Sequence, residues 1–325
     1  MSFIQSLKEK VKGKCPTIVF AEGNENKIVE AASIMAKEGI IKPVLLGDGE
    51  TMKGFGFDLS GCTLIDFDTY NDKYDQWAEV YEPKLDMPAR MISKRLKKNP
   101  LWLSAALVNF GEVDGMVAGL TYATGDVIFA ANMYIGLAEG TPLASSFFLM
   151  DTHNGNVGED GLIIYADCGV VPNPDSEELA SIAMTTADSA VKMLGWEPRV
   201  AMLSFSTKGS AKHPDVKKVV DAYNIVCEKR PELKVDGEIQ ADAAIVPAVA
   251  AKKAGEDNVL QGKANILVFP DLDAGNICYK ITERLTGGEA YGPLLQGFAK
   301  PVSDLSRGSS VEDIIGVATI VAAQV

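Results

Sequence analysis

The sequence predicts an α/β protein of two domains. Short apolar runs rich in β-branched residues alternate along the chain with longer stretches of helical period, the pattern of strands separated by helices. At 325 residues the chain exceeds the size at which one hydrophobic core usually stops growing. Hydrophobic residues make up 47% and charged residues 23%, far from the composition of a disordered chain, so a large core can be buried.

The first unit reads plainly. Thr17 to Phe20 is a strand, Glu22-Gly23-Asn24 a turn, and Lys27 to Lys37 a helix with Ile28, Ala31, Ala32 and Met35 at i, i+3, i+4 and i+7. Pro43 to Leu46 is the next strand, followed by strands at Thr63 to Phe67, Gly115 to Ala118, Ser145 to Leu149, Leu162 to Ala166, Val200 to Phe205 and Ile266 to Phe269. Helical patterns cover Tyr74 to Lys97 and Leu101 to Phe110, separated by Asn99-Pro100, which stops one helix and starts another. A further helix, Glu177 to Leu194, ends at Gly195 as a C-cap. The domain boundary is expected near Gly140 to Leu143, at a Gly-Thr-Pro turn, and Thr152 to Asp160 reads as a loop or hairpin.

Charge and cysteine usage narrow the function classes. A net charge of −13 argues against nucleic acid or an anionic membrane as partner, because both require clustered cations. No apolar run approaches the length of a membrane span, and the first twenty residues lack a signal-peptide core, so a cytoplasmic protein is expected. The five cysteines are odd in number, far apart and never spaced C-x-x-C, which reads as reduced thiols rather than disulfides or a metal site.

Several mechanisms fail on inventory. Two histidines, His153 and His213, hardly suffice for a His-rich metal centre or a Ser-His-Asp triad, and H-E-x-x-H is absent. There is no Walker A sequence, and the first strand runs into FAEGNENK rather than G-x-G-x-x-G, which leaves a nicotinamide site unsupported. His213, before Pro214, reads as a helix cap or surface residue.

Two segments concentrate polar chemistry. Ser204 to Lys212 (SFSTKGSAK) lies between a strand and the helix around Asp215 to Arg230. Its hydroxyls, backbone N–H groups and lysines either hold a phosphate or form a solvated connection that caps the next helix. In Lys300 to Ile315 (KPVSDLSRGSSVEDII), Ser306 and Arg307 precede Gly308, and Asp313 falls in the first turn of a final helix. Ser310-x-x-Asp313 fits a capping box, which would use the carboxylate structurally; Ser309-x-x-Glu312 fits equally and would leave Asp313 free.

With these residues the chain resembles the phosphate acetyltransferase (phosphotransacetylase) family. The likeness runs over nearly the whole chain, through AMLSFSTKGSAK (201–212), DGEIQADAAIVPAVA (236–250), GKANILVFPDLDAGNICYK (262–280) and YGPLLQGFAKPVSDLSRGSSVED (291–313). The resemblance implies two α/β domains of the isocitrate and isopropylmalate dehydrogenase type with a cleft between them. Domain I would be 1–142 plus 292–325 and domain II 143–291. It implies a homodimer, acetyl transfer between coenzyme A and inorganic phosphate, coenzyme A as substrate rather than bound cofactor, and no metal.

The resemblance also maps the family's Ser-Arg and following Asp onto Ser306, Arg307 and Asp313. Asp313 would take the thiol proton, and the thiolate would attack acetyl phosphate directly. An ordinary carboxylate accepting from a thiol works against roughly 4 to 5 pK units, about 6 kcal/mol. Arg307 and Ser306 would offset this by stabilising developing negative charge, and partial burial would make Asp313 more basic. Substrate-binding candidates are Ser206, Thr207, Lys208 and Gly209 of the loop, with Lys280 and Lys300 as further cations. The chain departs from the family where Phe129 replaces a customary arginine, Lys84 a second and Lys27 a third. These departures motivate two alternatives: a propanoyl or butanoyl transferase, and a coenzyme A-binding homologue impaired in catalysis. A decarboxylating dehydrogenase of the same fold is the reading from another enzyme class.

Overall fold

A computed structural model describes residues 3–325. The chain forms two compact units, residues 1–139 with 298–325, and residues 140–297. In chain order the first unit carries α1 (Phe3–Val11), β1 (Thr17–Phe20), α2 (Asn26–Glu38), β2 (Lys42–Leu46), α3 (Gly49–Gly54), β3 (Thr63–Ile65), α4 (Tyr74–Leu85), α5 (Ala89–Leu96), α6 (Pro100–Asn109), β4 (Gly115–Ala118) and α7 (Thr124–Tyr134). The second unit carries β5 (Ser145–Asp151), β6 (Leu162–Ala166), α8 (Ser176–Ser189), β7 (Arg199–Leu203), α9 (Pro214–Lys229), β8 (Lys234–Ile239), α10 (Ala241–Ile245), α11 (Pro247–Ala254), β9 (Ile266–Val268), α12 (Leu272–Thr286) and β10 (Glu289–Gln296). The chain then returns to the first unit through β11 (Val302–Asp304) and α13 (Val311–Gln324).

The α/β expectation holds. The first unit is built on a five-stranded sheet, β11-β4-β1-β2-β3, in which every neighbouring pair is parallel. Its strands are nearly all buried, as a parallel sheet covered by helices requires. α2 buries Ile28, Ala31, Ala32 and Met35, the stripe read from the sequence, and ends at Gly39 with φ 68°. Those side chains share a core with Ile18, Phe20 and Leu45 of the sheet and Ile314, Ala318 and Val321 of α13. The second unit is built on a mixed six-stranded sheet, β10-β5-β6-β9-β7-β8, whose β10-β5 and β5-β6 pairs are antiparallel. Residues 152–161 form the connection of the β5–β6 hairpin.

The structure corrects three readings. The helix expected from Tyr74 to Lys97 is two, because Asp86 takes a left-handed conformation (φ 46°) just before Pro88. A residue preceding proline is pushed away from helical geometry, so Met87-Pro88 separates α4 from α5. β8, β10 and β11 are strands that the sequence reading did not find. KVDGEI, EAYGPLLQ and VSD interrupt their apolar residues with Asp, Glu, Gly or Pro. Finally, Leu294 to Gln296 pair with β5, which puts them in the second unit rather than in the returning segment expected from residue 292.

Candidate active site

Open parallel sheets bind ligands outside the carboxyl ends of their strands, where strand order reverses. In the first unit that point lies between β1 and β4, since β1, β2 and β3 run outward to one side and β4 and β11 lie on the other. The chain that follows β1 supplies Glu22, and the chain that follows β4 supplies Gly119 to Tyr122. The Glu22 carboxylate is 7% exposed and accepts from the backbone N–H groups of Gly119 (2.9 Å), Leu120 (3.1 Å), Thr121 (2.5 Å) and Tyr122 (3.3 Å) and from Thr121 Oγ1 (2.8 Å). Five donors hold the β4–α7 turn in one shape.

β11 ends beside this turn. Asp304 is 1% exposed; its Oδ2 accepts from Thr124 Oγ1 at 2.5 Å, in the first turn of α7, while Oδ1 is buried without a partner. Gly119 (φ 107°) is required here, because a Cβ would run into the Asp304 carboxylate and come within 2.7 Å of the Leu305 nitrogen. Burial pushes the Asp304 carboxyl up to about 6, against the hydrogen bond from Thr124; Glu22 reinforces the rise and Arg307 opposes it.

The next residues are the Ser306-Arg307-Gly308 turn, all exposed. Ser306 Oγ accepts from Gly308 N–H at 3.4 Å, and Ser309 N–H returns to the Ser306 carbonyl at 2.9 Å. Lys27 of α2 donates to the Ser309 carbonyl at 2.8 Å, so this lysine anchors the turn to α2. Among the described residues no carboxylate lies within 4.0 Å of the Arg307 guanidinium. Asp313 follows in the first turn of α13. Of the two capping patterns, the structure forms Ser310–Asp313: Ser310 Oγ accepts from Asp313 N–H at 3.1 Å, and Asp313 Oδ2 accepts from Ser310 N–H at 2.9 Å. The cap uses one carboxylate oxygen. Asp313 is exposed, not partly buried as expected.

The second-unit loop is wired differently. Ser206 and Thr207 are buried, and Ser206 Oγ (2.8 Å) and Gly209 N–H (2.7 Å) both donate to Glu238 Oε1 at the end of β8. Thr207 N–H donates to Ser210 Oγ at 3.0 Å, and Thr207 Oγ1 accepts from Gln240 N–H at 3.0 Å. Lys208 pairs with Asp236, which is also bound by Asn258. The structure therefore brings Ser206, Thr207, Lys208 and Gly209 together, but their donors are engaged by the protein's own acceptors. His213 caps α9, its Nδ1 accepting from Asp215 N–H at 3.3 Å. Lys280 is exposed on α12 and donates to Tyr279 OH at 2.8 Å; Lys300 is exposed just before β11. Lys84 is exposed in the last turn of α4, and Phe129 is 51% exposed on α7.

Glu22, Gly119, Thr124 and Asp304 were not singled out from the sequence. Their signal is positional: each follows or closes a strand at the carboxyl edge of the first sheet. For Asp304 that signal was hidden, because VSD does not read as a strand.

Fold and turn together define an α/β protein with a polar, cation-bearing turn at the carboxyl edge of a parallel sheet. Residues 2–322 match the family described as "Phosphate acetyl/butaryl transferase", and the chain belongs to that family. A phosphate acetyltransferase of Acetivibrio thermocellus is 44% identical over 328 residues, covering 100% of this chain and 98% of the relative. The crystal structure of a phosphotransacetylase from Streptococcus pyogenes superposes with a TM-score of 0.92 at 41% identity, covering 100% of this chain and 99% of that one. A 4-hydroxythreonine-4-phosphate dehydrogenase from Burkholderia phymatum, 14% identical, covers 95% of this chain and 97% of its own with a TM-score of 0.55, a likeness of fold alone.

Proposed function

We infer that this protein is a phosphate acetyltransferase, catalysing acetyl-CoA + phosphate ⇌ acetyl phosphate + CoA. The observation that carries the reading is the family match over the whole chain, joined to a Ser306-Arg307 turn whose guanidinium is not neutralised by any neighbouring carboxylate. Relatives named phosphate acetyltransferase favour the acetyl group over propanoyl or butanoyl and over dehydrogenase chemistry.

In the proposed mechanism Asp313 accepts the thiol proton of coenzyme A through the carboxylate oxygen that its cap does not use. The thiolate adds to the carbonyl carbon of acetyl phosphate, and the carbonyl π electrons move onto oxygen. Arg307 and the Ser306 hydroxyl stabilise that oxyanion. Collapse restores the carbonyl and breaks the bond between its carbon and the bridging oxygen, which leaves on the phosphate, giving acetyl-CoA with no acyl-enzyme. Lys27 holds the Ser306-Arg307 turn through the Ser309 carbonyl, while Glu22 and Asp304 fix the neighbouring β4–α7 turn and the start of α7. Within the second unit, Ser206, Thr207, Lys208 and Gly209, shaped by Glu238 and Asp236, are assigned to substrate binding, and Lys280 and Lys300 are assigned a role in attracting the anionic substrates. Coenzyme A acts as substrate, with no metal or bound cofactor in any step.

Thiol release from acetyl phosphate and coenzyme A tests the assignment. Asp313→Asn keeps an oxygen for the Ser310 cap but removes the base, and is expected to lower kcat about 10³-fold with little change in melting temperature. Equal turnover by the wild type and this variant would sink the assignment of Asp313.

A homodimer and a cytoplasmic location complete the reading. Support for the dimer comes from α12, which exposes Ile277 (56%), Ile281 (52%) and Leu285 (82%) at i, i+4 and i+8. A continuous apolar stripe of this kind favours burial against a second copy. Sedimentation of Ile281→Glu should give monomer where the wild type gives dimer. As to membranes, no helix among the described residues is long and apolar enough to cross one.

A further inference from the structure

α5 carries a basic stripe where a surface helix usually carries mixed charge. Its core side is set by Ile92, Ser93 and Leu96, all buried. Met91, Lys94 and Arg95 follow one another at i, i+3 and i+4, so they share the opposite face, and Lys98 comes just past the helix end. Among the described residues none of Lys94, Arg95 and Lys98 has a carboxylate within 4.0 Å. In a chain of net charge −13, these three neighbouring cations without a carboxylate partner make a local positive patch.

The same residues line an open cavity of about 610 Å³, with Asn99 of the α5–α6 connection and Trp102 of α6 forming the rest of its wall. Asn99 fixes that wall, since its Oδ1 caps α6 by accepting from Trp102 N–H at 3.2 Å. The Arg95 guanidinium lies 5.0 Å from the Trp102 ring centroid, a cation–π contact that leaves its N–H fork available. Phe129, half exposed on α7, is not part of the cavity lining, but its ring lies 6.3 Å from that of Trp102 and flanks it. The helix dipole accounts for cations in the last turn of α5, as with Lys94 and Arg95. It accounts neither for Lys98 beyond the helix end nor for the aromatic wall beside them.

We propose that this cavity binds a nucleotide, its phosphate held by Lys94, Arg95 and Lys98 and its base lying against Trp102 and Phe129. Two sources share that chemistry: the 3′-phosphoadenosine end of coenzyme A, a source that rests on the acyltransferase reading, and a free nucleotide acting as an effector. On either source the half-exposed ring of Phe129 would extend the recognition surface beyond the cavity lining, and the positive charge comes from Lys94 and Arg95 of α5 and from Lys98 just past its end.

Calorimetry with adenosine 3′,5′-bisphosphate on the full chain tests the site without reference to turnover, so its failure and that of the acyltransferase reading are distinguishable. The wild type should bind the bisphosphate, and the Lys94→Glu/Lys98→Glu pair should weaken binding at least tenfold, with circular dichroism reporting unchanged folding. Phe129→Ala should weaken the bisphosphate several-fold while leaving binding of inorganic phosphate unchanged. Displacement by saturating coenzyme A would identify the substrate as the source, and retention would identify a free nucleotide; both support the site. No binding by the wild type, equal binding by the charge-reversed pair, or inorganic phosphate binding as tightly as the bisphosphate would overturn it.

Discussion

Two turns in this protein have nearly the same ingredients and opposite electrostatics. Each follows the end of a strand and leads into a helix, and each places serine beside a cation and a glycine: Ser306-Arg307-Gly308 after β11 and Ser206-Thr207-Lys208-Gly209 after β7. In the second, a buried glutamate and a buried aspartate from the neighbouring strand β8 take the serine hydroxyl, the glycine N–H and the lysine. In the first, the neighbouring carboxylates Glu22 and Asp304 are occupied with the backbone of the β4–α7 turn and with Thr124, and Arg307 is left unpaired. Composition alone does not make an anion site. What decides is whether acceptors of the same protein reach the donors first.

That contrast predicts opposite phenotypes for the two cations. Arg307→Ala should lower kcat/KM by about 10²–10³, the scale of losing one preorganised charge-stabilising donor, and leave the melting temperature nearly unchanged. Lys208→Ala should do the reverse. It leaves the Asp236 carboxylate, 3% exposed at its side chain, with Asn258 but without a cation, and is expected to cost about 2 kcal/mol, or roughly 5 °C in thermal midpoint. A loss of turnover in Lys208→Ala at full stability would break the comparison, and would make Lys208 a substrate ligand.

Asp304 sharpens it further. Its carboxyl sits at about 6, above the ordinary ~3.9 of an aspartate. A raised value means that the folded state holds the proton more tightly. The stabilisation is therefore fully present below about pH 4 and lost as pH rises through about 6. Asp304→Asn mimics the protonated form: its oxygen still accepts from Thr124, and its amide takes the position of the unpartnered Oδ1. The variant should be more stable than the wild type by about 3 kcal/mol at pH 8 and no more stable at pH 4. Thermal melts across that range check this, and parallel curves for the two proteins would refute it.

Much of the fold was legible because apolar periodicity reports burial. β1, β4 and β6 are bounded as their β-branched runs indicate, and the α2 stripe is the buried one. The elements that escaped are those in which polar residues occupy strand positions. β8 carries Asp236 and Glu238, and β11 carries Asp304, all buried against partners that only the fold supplies. The same cause hid part of the candidate site. Ser306, Arg307 and Asp313 stand out as a motif, whereas Glu22 and Asp304 matter through hydrogen bonds across 97 and 180 residues of sequence. Lys27 stands out in the sequence only as a departure from a family arginine, yet it holds the carbonyl of Ser309, 282 residues away.

The smallest predicted effect separates the two uses of Asp313. Its N–H and one carboxylate oxygen serve the α13 cap, so capping and catalysis draw on different atoms of one residue. Ser310→Ala removes only the hydroxyl that accepts the Asp313 N–H and leaves the Ser310 N–H bonded to the carboxylate. The loss should be that of an ordinary N-cap, about 1 kcal/mol, with kcat/KM within about threefold of wild type. Because α13 packs Ile314, Ala318 and Val321 into the core of the first unit, its remaining turns are held by burial, and the cost stays local to the first turn. If Ser310→Ala instead lowered turnover as far as Asp313→Asn, the cap would be what aims the carboxylate, and Ser310 would become a positioning residue of the reaction.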